Sequence, residues 1–397
     1  MTAYLISLAA ALAAAPVQDK APDRTAQDDT QVIVITGQVD SARKEYEACL
    51  ARKCPPLEDM AASLRYAEAL FVEGEYQDAR GVLRGATGRN RSHAQAHPRE
   101  VSALYRAASR IAAHLGEGQE YERRAHGMVR ALKAGLPEAA PEVLLAQIEV
   151  ARTQTSLGNI PAAIAVLEAA HNVAERSGQK AVQGIAAVRL AALVHLRGGR
   201  SDARKLLAPL LEWDEPAMSQ IRLAARILSA RFDRAEGKPD NVDALIATLR
   251  TQPGQAPMLL KMEPLDIEWY DPRTARQAVG EATTVKVEHW NEPKVDKRWA
   301  DIGFWVRPDG SVDDIEVLRD SNASKDWIDP VIAQVKSRVY AKSSAADGPG
   351  TYRVERFTLT ALWGTVTGTH RRVREPRFRV ERLDMTAEPA PSKDNGG

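Results

Sequence analysis

Five glycines set the strongest constraint on what this chain can fold into. Gly74, Gly116, Gly158, Gly198 and Gly237 follow one another at 42, 42, 40 and 39 residues. The chain around them, from about 41 to 252, is rich in Ala, Leu and Arg with helical periodicity. Seven residues before each glycine stands a small residue: Ala67, Ser109, Ala151, Ala191 and Ala230. Five residues after come Ala79, Tyr121, Ala163, Ala203 and Val242, and nine after come Leu83, Ala125, Leu167, Leu207 and Ile246. This is the signature of a repeated helical hairpin. Glycine ends one helix and permits a tight turn, the small residue lets two helices approach, and the larger apolar residues fill the seam between units.

The segments Phe71 to Ala79 and Leu157 to Ala163 resemble the turn of tetratricopeptide repeats, with a period longer than the usual one of that family. The resemblance implies a curved array of helix pairs that presents a face to a peptide or protein. An ordinary helical bundle is the alternative. The arginines of this region, among them Arg84, Arg89, Arg91, Arg106, Arg110, Arg123 and Arg124, are read first as solvated outer faces.

Helical periodicity stops at Pro253-Gly-Gln-Ala-Pro257. Beyond it, Ala300, Ile302, Phe304 and Val306 alternate with Asp301, Gly303, Trp305 and Arg307, the pattern of a strand. Pro308, Asp309 and Gly310 form a hairpin turn, and Val312 to Leu318 returns as its second strand. Asp329 is expected to cap a helix with Pro330 in its first turn and an apolar stripe of Val331, Ile332, Val335 and Val339. Tyr352 to Trp363 reads as a long last strand. The order strand, turn, strand, helix, strand, with Ile302, Phe304, Val306, Asp309, Gly310, Val312, Ile315 and Val317 at the recurrent positions, resembles the TonB C-terminal domain family over about 285–365. That resemblance implies pairing with a partner strand. The family's energy transducers carry a membrane anchor and a Pro/Lys-rich spacer before this domain; here helical repeats are expected in that place. The composite resembles exported repeat proteins of an alphaproteobacterial type.

At the N-terminus, Tyr4 to Ala15 is apolar except for Ser7, and Ala11-Leu-Ala13 offers a cleavage site. The expectation is a signal peptide over 1–13 and a periplasmic protein. In an oxidising compartment Cys49 and Cys54, the only cysteines, are expected to pair; buried thiols, or a metal shared with His93 and His97, are the alternatives. Within the tail 14–40, the β-branched run Val32, Ile33, Val34, Ile35 and Thr36 resembles the short box of outer-membrane receptors. It is expected to be extended and to pair with Tyr352, Val354, Phe357 and Leu359 of the terminal sheet, in cis or between copies; a segment that is simply part of the fold is the alternative.

The fold class that results is mainly α with a small α+β module. Helical-hairpin repeats over 41–252 precede a TonB C-terminal-like sheet-plus-helix domain over 253–369 and a basic then flexible tail over 370–397. The tail carries Arg371, Arg372, Arg374, Arg377, Arg379 and Arg382, which read either as one more charged edge strand or as a contact with anionic lipid. Overall 54 Lys and Arg balance 53 Asp and Glu, and aromatics are 5%, which disfavours a nucleic-acid binder. No nucleophile, metal or phosphate-loop motif occurs in a suitable context, so no enzyme, metal or cofactor is expected; a site assembled from distant residues is the alternative. The functional expectation is a periplasmic scaffold that binds a protein partner. Its alternative is an accessory of TonB-dependent outer-membrane transport that engages a receptor.

Overall fold

A computed structural model describes residues 28–239, 242–251, 256–265, 298–321, 327–343, 350–365 and 372–386. The expected signal peptide lies outside them, as do residues 14–27 and 387–397. Helix α1 (Asp28–Ala51) leads into five antiparallel helix pairs. They are α2 (Pro56–Val72) with α3 (Tyr76–Asn90), α4 (Pro98–His114) with α5 (Gly118–Gly135), and α6 (Pro141–Ser156) with α7 (Ile160–Arg176). Two further pairs follow: α8 (Lys180–Leu196) with α9 (Arg200–Leu211), and α10 (Ser219–Ala235) with α11 (Val242–Thr248).

Each of the five spaced glycines sits inside its pair, at a φ between 69° and 90°. The turns close by the same two bonds. At the first, Gly74 N–H donates to Phe71 O at 2.9 Å and Glu75 N–H to Leu70 O at 2.9 Å. At the third, Gly158 donates to Thr155 O at 3.0 Å and Asn159 to Gln154 O at 2.8 Å. This closure satisfies helix carbonyls that would otherwise lack donors, and it needs a residue with φ > 0. The small residues seven positions earlier are all buried, as are Leu83, Ala125, Leu167 and Leu207. The repeat register therefore coincides with the packing register.

Cys49 and Cys54 are joined across the end of α1, with their Cα atoms 5.1 Å apart. The run Val32–Thr36 is a correction: its backbone belongs to α1, so it is helical, not extended. A helix uses its own backbone donors and acceptors, and none is left for a strand partner.

The C-terminal module begins with two short strands, β1 (Arg250–Thr251) and β2 (Leu259–Lys261). The hairpin β3 (Trp299–Val306) and β4 (Val312–Asp320) follows, then α12 (Ile328–Lys336). After it come β5 (Val339–Tyr340), β6 (Lys342–Ser343), β7 (Thr351–Thr365) and β8 (Arg372–Asp384). The main sheet is antiparallel in the order β4-β3-β7-β8, while β1 pairs with β6 and β2 with β5. Between β3 and β4, Gly310 (φ 86°) donates to Arg307 O at 2.9 Å.

Three expectations need correction here. The helix starts at Ile328 with Trp327 as its cap, so Asp329 lies in its first turn. Val339 belongs to β5, because the helix has already ended at Lys336. Residues 372–384 are the sheet's fourth strand, paired along β7 from Arg372↔Thr365 to Asp384↔Glu355, as the edge-strand reading of the arginine run expects, so the module extends past the expected bound at 369.

The sheet is buried on both faces. Ala300, Ile302, Phe304 and Val306 pack with Phe357, Leu359 and Ala361 over Val331 and Val335 of α12. The opposite face carries Trp299, Asp301, Arg356, Thr358 and Thr360, all buried as well. What covers that second face is the helical array.

Candidate protein-interaction site

Period-two alternation gives the second sheet face a polar row, and helix ends meet it. Arg356, fully buried at the centre of β7, donates to Phe71 O at 2.8 Å and Val72 O at 2.7 Å, the last carbonyls of α2. Its other side is held by Asp301 through Nε and, at 2.8 Å, through Nη2. Arg319 of β4 shares that carboxylate at 2.8 Å and reaches Val72 O at 3.1 Å. The indole of Trp299 lies 3.9 Å below the Arg356 guanidinium and fills the space over Gly74. A cation at a helix C-terminus answers both the unpaired carbonyls and the negative end of the helix dipole.

The next repeat is met in the same way. Arg374 of β8 donates to Leu115 O at 2.8 Å, just past the end of α4, and Trp363 N–H donates to Gly116 O at 3.0 Å. Between these points Thr358 Oγ1 bonds Tyr76 Oη at 2.9 Å and His114 Nδ1 at 2.8 Å. Burial and the neighbouring Arg356 hold the His114 imidazole neutral, with its pKa pushed down to about 3. At the third repeat, Arg379 donates to Ser156 Oγ at 2.8 Å. The module also touches the fifth repeat. Arg231 of α10 donates to Leu260 O of β2, and Ile227 of α10 packs with Leu245, Leu249, Leu260 and Ala341.

The fourth repeat is left open. Among the described residues, no hydrogen bond or core cluster joins α8 or α9 to the module. Nothing lies within 4 Å of where a Cβ would stand at Gly158 or Gly198, whereas Gly74 and Gly116 are covered by the sheet.

Positions spaced by four, three and four residues share one helix face. On α4 that stripe is Ala103, Ala107, Arg110 and His114; on α6 it is Leu145, Glu149, Arg152 and Ser156. On α8 it is Ile185, Arg189, Ala192 and Leu196. The sheet covers the ends at His114 and Ser156. Leu196, the equivalent on α8, is 39% exposed, and Leu145 is 44% exposed. Between them lie arginines in electrostatic reach of one another. Arg110 is exposed, yet desolvation by the surrounding protein pushes it down, with Glu149 opposing and Arg152 and Arg106 adding to the shift. Burial and Arg152 push Arg189 down to about 10. Glu149 is taken by Arg106 at 3.0 Å, while no ion pair within the described residues engages Arg110, Arg152 or Arg189. Glu381 of β8, paired with Arg379 at 3.0 Å, is in electrostatic reach of Arg152, and burial pushes its carboxyl pKa up.

Tyr352, Val354, Phe357 and Leu359 all lie on β7, which is flanked by β3 and β8. Their backbones are already paired, so the expected addition of a strand there is corrected: the open edges of this sheet are β4 and β8. Pro308, Asp309 and Gly310 sit in the hairpin turn, where Asp309 Oδ1 accepts from Ser311 N–H at 2.9 Å. Arg374 and Arg379 are engaged by the repeats, so the basic segment is not a free cationic patch. Among the described residues no group of three or more His, Cys, Asp and Glu is placed to hold a metal ion. No described helix is long and apolar enough to cross a membrane.

No family model matches the chain, and no curated protein matches it. Among solved structures, the chain is similar to the nearly identical TPR-like repeats of a kinesin light chain from Podosopora anserina, at 20% identity over 48% of this chain and 93% of that one, with a TM-score of 0.38. Another is BtubC from P. vanneervenii, at 13% identity over 65% of this chain and 94% of that one, with a TM-score of 0.42. The apo quorum sensor NprR from B. thuringiensis matches at 12% identity over 55% of this chain and 61% of that one, with a TM-score of 0.35.

Proposed function

We propose that the chain is a protein-interaction scaffold whose helix pairs hold one protein element in cis and leave a face open for another. The observation that carries this reading is the uneven coverage of the repeats. Sheet arginines cap the ends of α2 and α4, and Arg379 reaches Ser156 on α6. The equivalent end of α8 exposes Leu196. The repeats thus bind a folded element by a defined chemistry, and part of the same face has no occupant. Export to the periplasm is part of the proposal, supported by the apolar run Tyr4 to Ala15 and by the Cys49–Cys54 pair.

The test is a photo-reactive residue placed at Leu196 in the native host, with Glu168 on the exposed side of α7 as control. Discrete adducts from position 196 and none from 168 are expected. Identical patterns at the two positions overturn the scaffold reading.

A second reading makes the module a TonB-like strand acceptor for an outer-membrane receptor. The order β3, β4, α12, β7 supports it, as does the open β4 edge where Val317 and Leu318 are exposed. That edge is partly defended by Asp313, Asp314 and Glu316 and by two breaks in register, which is how edge strands avoid pairing. Val317→Pro should abolish receptor cross-linking if β4 accepts a strand. Retained cross-linking excludes it.

A further inference from the structure

We propose that the open face of α4, α6 and α8 binds an acidic, leucine-containing peptide segment of a partner protein, with Arg110, Arg152 and Arg189 reading its carboxylates and Leu145 and Leu196 seating its apolar side chains. This deepens the scaffold reading and rests on it. Three observations converge.

The first is charge. Five arginines (106, 110, 152, 189 and 379) meet on this face with only Glu68, Glu149 and Glu381. Arg106 and Arg379 are committed to Glu149 and Glu381 at 3.0 Å each. Arg110, Arg152 and Arg189 remain crowded together without an ion-pair partner among the described residues. Arg189 Nε is moreover buried with no hydrogen-bond acceptor. Like charges repel, and an incoming carboxylate relieves the repulsion while accepting charge-assisted hydrogen bonds from the guanidiniums.

The second is an example already seated in the fold. Glu381, on the strand that crosses α6, pairs with Arg379 at 3.0 Å and lies in electrostatic reach of Arg152. The face therefore already receives an acidic side chain from an extended backbone at its covered end. The uncovered end repeats the same chemistry one helix pair further on.

The third is continuity. Val72, His114, Ser156 and Leu196 are equivalent positions of successive repeats. The first three meet the sheet through a backbone or side-chain atom, and Leu196 stands at the edge where that interface stops. A nucleic acid would find no aromatic platform on these stripes, and a lipid surface would require the arginines to project past the neighbouring strand.

The experiment uses the full chain and fluorescent peptides of one length on a fixed leucine frame, with Gln replaced stepwise by Glu. Anisotropy titration is expected to show affinity rising with each Glu and weakening as salt is raised. R152E/R189E is expected to lose about tenfold per reversed charge, and R189Q, which spares Glu381, about half that effect on a logarithmic scale. R84E on α3 should bind as the unaltered chain does. Equal binding of the all-Gln and all-Glu peptides overturns the proposal, as does equal binding by R189Q. The two readings fail separately. Persistent Leu196 adducts in R152E/R189E, with no dependence on Glu, leave the scaffold and remove the acidic ligand. Absence of adducts from position 196 in the unaltered chain removes the scaffold itself.

Discussion

Arg356 joins the two halves of the molecule through a single guanidinium. It is shared by Asp301, by the indole of Trp299 and by two helix-terminal carbonyls. Removing one partner of such a group leaves a buried charge uncompensated, which is costlier than never having had the pair. Arg356→Leu is therefore expected to lower stability by about 3 kcal/mol in urea unfolding, because buried Asp301 keeps, among the described residues, only Arg319 and the Phe71 carbonyl at the end of α2 loses its donor. Lys at this position should rescue little, since an ammonium cannot serve carboxylate and carbonyls in one plane. A loss below about 1 kcal/mol would show that the junction is carried by apolar contacts alone. His114 adds a dependence on pH. Its folded pKa is about 3, against an ordinary value of 6.5. Below pH 6.5 the unfolded chain takes up a proton that the folded chain refuses, so stability is full above that pH and drains away down to pH 3. At pH 5 the loss from this group is about 2 kcal/mol. His114→Gln should flatten that part of the stability profile, and an unchanged slope between pH 7 and 5 would refute the assignment.

The turns show how one element can serve two purposes. Gly74 and Gly158 have nearly the same φ, 79° and 81°, yet a Cβ on Gly74 would stand 2.0 Å from Trp299 Nε1 while Gly158 faces open space. Gly158→Ala should cost only the left-handed backbone penalty, about 1 kcal/mol. Gly74→Ala should cost about 1–3 kcal/mol more by overpacking and should displace Trp299, visible as a shift of tryptophan emission. Equal melting temperatures for the two variants would mean that the sheet does not seat on this turn. The five turns were legible in the sequence because a φ > 0 requirement leaves glycine at a fixed period. The hairpin at Arg307–Gly310 was legible for the same reason. The helix over Val32–Thr36 was not, because β-branched residues carry an extended propensity that the helical context overrides. Nor was the junction legible as a site. Asp301 and Arg356 read as the polar side of half-exposed strands, and periodicity cannot say whether that side meets water or another layer. Two signs were present: a tryptophan, Trp299, on the polar side of β3, and Arg356 at the centre of a long strand. Of the arginine stripe, Arg106 and Arg110 on α4 read from the sequence as solvated outer charge, and Arg152 and Arg189 carry no signal of their own. The i, i+4, i+7 spacing marks a shared face without marking which side of the array that face takes.

In an ordinary solenoid each unit touches only its neighbours, and stability is a sum of local terms. Here the module contacts the first three repeats through the sheet and the fifth through β2 and Ala341. Units remote along the array are thereby coupled, and the fourth is bypassed. Amide exchange in mild denaturant should find α2, α4, β3 and β7 opening together at the highest free energy, with α8 and α9 opening at a lower one. The same free energy for α2 and α8 would contradict that grouping. Contact with both the first and the fifth repeat also has a mechanical consequence. A free row of helix pairs flexes like a leaf spring, and its curvature drifts with temperature and load. A chord fastened near both ends turns the spring into a braced arch. Force applied to either end is carried by the tie rather than by bending, and the unsupported span over α8 and α9 is where, among the described residues, the arch gives most readily.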